Sequence, residues 1–176
     1  MGMLLAALDR CEKVLSVIEL IVTRITSASM IAIMFIIFID VLGRYFFSSP
    51  IGWLYDLTAL YFINMVLYLF ASETFRIRGH IALEIDLGRW ARRLFWSLEL
   101  IAWILVAATL ITAAYVVGVS AYGSFSVGEV IPGEYNWRIW IAKTIVATGL
   151  ALLALRVVIE TLRAVATSGA FYGREE

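Results

Sequence analysis

The chain has 176 residues, 62% of them hydrophobic and 16% charged, with fourteen basic and fourteen acidic side chains and hence no net charge. That much apolar surface exceeds what one small core can bury, so a large share of it has to face lipid. Neutrality removes the electrostatic basis for nucleic-acid binding; a single cysteine, Cys11, excludes an internal disulfide, and a single histidine, His80, excludes a bis-histidine haem site built from this chain alone.

In residues 1–24 the polar positions Asp9, Glu12, Lys13, Ser16, Glu19 and Thr23 recur at intervals of three and four. Leu4, Leu5, Leu8, Val14, Leu15, Ile18, Ile21 and Val22 take the other face. This is the pattern of an amphipathic helix, expected to lie in the interface on the cytoplasmic side. The alternative is that it extends the first membrane span. Its scattered charges do not suit a signal peptide.

Four spans follow, over about 25–47, 54–75, 94–118 and 139–161, each long enough for the roughly 20 residues that cross roughly 30 Å of hydrocarbon. Residues 164–176 form a cytoplasmic tail. The expected fold is therefore all-α and integral to the membrane, with four transmembrane helices preceded by an interfacial helix.

The first span reaches its length only by taking Asp40 and Arg44 into its far end. They stand four apart with the acid first, which suits a local ion pair, although either side chain could instead meet a partner subunit. Pro50 then stops the helix and Trp53 anchors the next one at the headgroups. In the second span, Asp56 lies where the helix dipole favours an anion. Asn64 falls near mid-membrane, where a carboxamide calls for a hydrogen bond to another helix. Glu73 near the end of this span and Glu99 early in the third adjoin the arginines from Arg76 to Arg93, and pairing would offset their desolvation. A second Pro-to-Trp turn, Pro132 to Trp137, opens the fourth span. There Lys143 and Arg156 are placed to snorkel towards opposite boundaries, while Ala147, Ala151 and Ala154 form a small-residue stripe suited to close packing.

Basic residues set the orientation. Arg10, Lys13 and Arg24 precede the first span, Arg76, Arg78, Arg89, Arg92 and Arg93 follow the second, and Arg156, Arg163 and Arg174 end the chain. Only Arg44, Arg138 and Lys143 fall on the opposite side. Both termini are therefore expected in the cytoplasm.

No span carries an acid at its centre flanked by other acids, as a proton relay would need, and none is broken at Gly or Pro. Gly-rich phosphate loops, His/Cys clusters and nucleophile–base pairs are missing from the sequence as well. This inventory suits a scaffold or accessory subunit better than an enzyme or a complete transporter. A stand-alone small exporter lacks its first-span glutamate here, since no acid occurs between Ile25 and Ile39. The membrane anchor of a redox complex is the other alternative.

Three stretches carry a resemblance. The first turn reads Asp40-Val-Leu-Gly-Arg44-Tyr-Phe-Phe-Ser-Ser-Pro50-Ile-Gly-Trp53, and the second span is followed by Arg76-Ile-Arg-Gly-His80-Ile-Ala-Leu-Glu-Ile-Asp86. Ile131-Pro132, Trp137, Lys143 and Gly149 come next in order. Over roughly Ile25 to Arg163 the chain resembles the small, DctQ-like (Q-type) membrane subunit of TRAP transporters, the tripartite ATP-independent periplasmic transporters. It departs from the family pattern at Tyr55-Asp56, where one acid stands in place of a frequent acidic pair. The resemblance implies a place in the bacterial inner membrane, no enzymatic activity and no cofactor of its own. Its implied partners are membrane lipids, a large M-type permease subunit holding the substrate and sodium sites, and a periplasmic binding protein that delivers an organic acid. The role it implies is that of a fixed scaffold. Asp40, Arg44, Pro50, Trp53, Asp56, Asn64, Glu73, His80, Glu99, Trp137 and Lys143 are the candidate structural or partner-facing residues.

Overall fold

In a computed structural model, the described residues are 2–48, 51–77, 89–132 and 135–172. They form four long helices: α1 over Gly2–Phe47, α2 over Trp53–Arg76, α3 over Arg89–Val127 and α4 over Ile139–Tyr172. All four contain a stretch long and apolar enough to cross a membrane. Successive helices run antiparallel, so the start of α1 and the end of α4 share one end of the bundle, here called proximal; the other end is distal.

Helix α1 is a single element of 46 residues. The amphipathic segment expected over 1–24 is helical, but it is continuous with the first span and not a separate helix. Nothing in its sequence interrupts the backbone ladder, since α1 contains neither proline nor an interior glycine before Gly43. It ends at Ser48, whose φ of 52° is a left-handed stop.

Helix α2 is irregular. Two π-helical segments, Thr58–Phe62 and Met65–Leu69, widen its middle turns, although the sequence shows no Gly or Pro there. Between them Asn64 donates from Nδ2 to the Leu60 carbonyl at 2.7 Å. The carboxamide is thus satisfied within its own helix, where the π register has shifted the backbone pairing, and not across to a neighbour as expected.

The turn between α3 and α4 holds two short antiparallel strands, β1 (Val130–Ile131) and β2 (Trp137–Arg138), paired Val130 to Arg138 and Ile131 to Trp137. The sequence reading foresaw only a loop there. Helix α3 extends to Val127, beyond its expected end near 118, and Gly128 turns the chain with φ of 67°, a conformation that favours glycine.

Helix α4 is the hub, packing against α1, α2 and α3. Its buried side includes Ala142, Ala154, Val157 and Ile159. Closest approach occurs at Gly149: a Cβ there would lie 2.5 Å from the Tyr68 carbonyl oxygen in the second π segment. The expected stripe is only partly in contact, because Ala154 is buried whereas Ala151 is exposed. Large apolar side chains face outward over the middle of the bundle, as with Met34, Phe35 and Phe38 on α1 and Leu105, Ile111 and Val116 on α3.

Candidate functional site

At the distal end, Asp40 ties helix to turn. Arg44 Nη2 donates to its Oδ2 at 2.9 Å, and the Ile51 backbone N–H donates to its Oδ1 at 2.7 Å. The carboxylate is buried while Arg44 is largely exposed. One acid therefore fastens the end of α1 to the chain entering α2. Asp56, which the sequence places where the helix dipole favours an anion, does not join Arg44: it forms no hydrogen bond or ion pair among the described residues and borders a shallow cavity of about 180 Å³ with Ala59, Leu60, Ile131 and Trp137. The reason is reach: Asp40 lies one helical turn from Arg44, whereas Asp56 sits on the next helix.

Aromatic rings join the two distal turns. Trp53 meets Tyr135 edge-on at 6.3 Å, Tyr135 lies 6.0 Å from Trp137, and Trp137 packs against Tyr61 at 5.8 Å. Tyr61 Oη donates to the Arg138 carbonyl at 2.9 Å, pinning α2 to β2. Trp137 Nε1 is buried without a hydrogen-bond partner among the described residues. Both tryptophans read from the sequence as headgroup anchors thus also contribute to one aromatic chain across the turns.

Beside it, Lys143 Nζ donates to Ser124 Oγ at 2.6 Å and lies 3.4 Å from Glu129 Oε2, while the Ser124 hydroxyl donates to the same Glu129 carboxylate. These hydrogen bonds hold the Glu129 carboxyl below the usual carboxylate range. Lys143 therefore points to the distal turn and ends on a specific acid. Ser124 is not an activated nucleophile here: its proton is committed to Glu129, and the neighbouring lysine donates to it and does not act as a base.

The proximal end holds the densest cluster of charge. Glu19 is only 2% exposed. The Ser72 hydroxyl donates to its Oε1, and its Oε2 lies 3.7 Å from Arg156 Nη1 and 4.0 Å from Arg76 Nε. Arg156 also approaches Glu12 at 3.5 Å, and Arg163 pairs with Glu12 at 2.7 Å and with Asp9. Arg76 bonds Glu73 from Nε at 2.7 Å and from a second guanidinium nitrogen. Three helices are thereby joined by charge, and α1 or α4 alone would strand a buried ion, Glu19 or Arg156.

This cluster departs from the sequence reading in two respects. Arg156 was expected to snorkel towards water, but it is 5% exposed and turned onto α1. Glu19 was read as part of a solvated polar face and was missed as a site. A signal was present: Glu12 and Glu19 are seven apart, as are Arg156 and Arg163, so on antiparallel helices the two pairs can meet in register. Glu73 does meet the arginine cluster, through Arg76. Glu99 lies in α3 but its side chain is outside the described residues, and so are Pro50 and His80.

Among the described residues, no three His, Cys, Asp or Glu side chains gather as metal ligands would. Ion pairs lie at both ends of the bundle, and between them, among the described residues, Asn64 and several hydroxyl side chains bond to their own helices. Such an arrangement can hold α1, α2 and α4 against one another.

No curated protein and no solved structure matches the chain. A family model does: residues 33–167 match the one described as tripartite ATP-independent periplasmic transporters, DctQ component. With most of its length covered by a family of transporter components, and four helices fit to span a membrane, the chain belongs to the DctQ family, the small membrane subunits of TRAP transporters.

Proposed function

We propose that this subunit is the fixed scaffold of a sodium-coupled, binding-protein-dependent transporter for an organic acid, and that it supports a large M-type permease subunit in the bacterial inner membrane. The observation that carries the scaffold reading is the proximal cluster, where Glu19 lies within ion-pair distance of Arg76 and Arg156, and Arg76 also pairs with Glu73. Buried charge is costly, and when used for transport it must be open to a substrate or ion. Here it is spent on joining α1, α2 and α4. Substrate and sodium are accordingly assigned to the large subunit, and capture of the organic acid to the periplasmic binding protein. The apolar outer faces of α1 and α3 suit contact with lipid and with the large subunit.

In this reading both termini are cytoplasmic and the two distal turns are periplasmic, following the excess of basic residues at the proximal end. Single cysteines at Ser49 and Ser126, in a Cys11→Ser background, test the orientation. Both should react with an impermeant reagent added to spheroplasts, and labelling only after the membrane is opened would reverse it. The scaffold role is tested by reconstitution. Uptake should require the large subunit and the binding protein, and Arg156→Ala should weaken co-purification of the two membrane subunits.

A further inference from the structure

Between residues 9 and 24, α1 sorts its charges by sign. Asp9, Glu12 and Glu19 turn inward, to Arg163, Arg156 and Arg76. Arg10, Lys13 and Arg24 are all exposed and form no ion pair among the described residues. Between them stand exposed apolar side chains, Val14 at 62%, Val17 at 56%, Leu20 at 46% and Ile21 at 54%. Positions 10, 13, 17, 20 and 24 step by three and four, so bases and apolar residues share one face.

Helix length decides what this face meets. At about 1.5 Å per residue the 46 residues of α1 extend about 69 Å, more than twice the roughly 30 Å of hydrocarbon. With Asp40 and Arg44 at the distal boundary, roughly 20 residues of crossing bring Arg24 to the proximal boundary. Lys13 and Arg10 then follow about 16 Å and about 21 Å further along the axis. A helix perpendicular to the membrane would leave Val14 to Ile21 in water. A tilted one returns that face to the leaflet and brings the three bases to headgroup depth, their stems lying over the apolar ridge.

We infer that the outer face of α1, through Arg10, Lys13 and Arg24, is a binding surface for anionic phospholipid headgroups on the proximal leaflet. An acidic protein segment would have to place carboxylates in register along an apolar ridge. A lipid leaflet supplies phosphate and acyl chain together and needs no register. The inward acids and outward bases then divide the work: one face locks α1 to the bundle and the other sets its depth and tilt.

The single cysteine lies within this stretch and is exposed, so a spin label on Cys11 reports its depth. The full chain is compared in vesicles of phosphatidylcholine alone and with phosphatidylglycerol added. Phosphatidylglycerol should carry the label from the aqueous phase into the headgroup zone, and high salt should reverse the shift. Native mass spectrometry of the detergent-purified chain should show bound phosphatidylglycerol, retained roughly fivefold less for each base replaced by glutamine. Arg10→Lys with Arg24→Lys should retain it, separating charge from fold. Equal label depth in both vesicles, or equal retention by the triple glutamine variant, would overturn the inference. So would a triple variant that keeps its lipid but no longer co-purifies with the large subunit, because the face would then belong to a protein partner.

Discussion

Glu19 sits where water does not reach, and guanidinium groups from two other helices approach the same carboxylate. Removing one partner of a buried pair leaves the other uncompensated, so Arg156→Ala should destabilise the purified chain by about 3–5 kcal/mol. The Arg156→Ala, Glu19→Ala double variant should lose less than the sum of its parts. Thermal melting in detergent measures both, and small additive losses would mean the pair is solvated. At the distal end the acid of the pair matters more than the base. Arg44 is 64% exposed, so Arg44→Ala should cost less than about 1 kcal/mol. Asp40→Ala also frees the Ile51 N–H and should cost about 1–3 kcal/mol. Glu129 adds a pH dependence. Its folded carboxyl is more acidic than the unfolded one, so its contribution is complete above the usual carboxylate range and disappears as pH falls through the folded value. The protection of amides around Ser124 and Glu129, relative to their intrinsic exchange rates at each pH, should fall in acid in the wild type, and Glu129→Gln should abolish that acid-dependent step. The Asp40–Arg44 pair was legible because both residues lie on one helix. The Glu19–Arg156 pair was not, since spacing alone does not say which two helices are neighbours.

Helices that are apolar on every side hide which face meets which neighbour, because the period of 3.6 gives direction only where polar and apolar residues alternate. That is why the alanine stripe pointed only loosely to the contact that Gly149 makes with Tyr68. Gly149→Ala would push a methyl group into backbone, which cannot turn aside as a side chain can, and should cost about 1–3 kcal/mol. Gly123→Ala meets nothing within 4 Å and should leave the melting temperature unchanged or slightly raised. Equal effects from the two would show that α2 and α4 do not approach as closely as described. The π segments of α2 left no trace in composition, since no Gly or Pro marks them and the sequence there reads as an ordinary span. Continuity of α1 was weighed only as an alternative, although the intact backbone ladder favoured it. The polar face that suggested an in-plane helix is, over Glu12 to Glu19, the face that meets α4.

Across the whole molecule, span number and order were legible because crossing a bilayer demands a long apolar run whatever the neighbours are. The family was legible from three stretches, 40–53, 76–86 and 131–149, and the match over residues 33–167 agrees with it. What a single chain does not reveal is which of its exposed apolar faces meets protein and which meets lipid, because both solvents of that surface are apolar. In the proposed role this subunit supports transport without performing it. Proteoliposomes carrying the lone subunit, the large subunit with it, and both with the binding protein separate the possibilities directly, read as sodium-driven accumulation of radiolabelled organic acid. A scaffold subunit should give accumulation only in the complete set and background counts for the lone chain. Accumulation above background by the lone chain, abolished when the sodium gradient is collapsed, would contradict it.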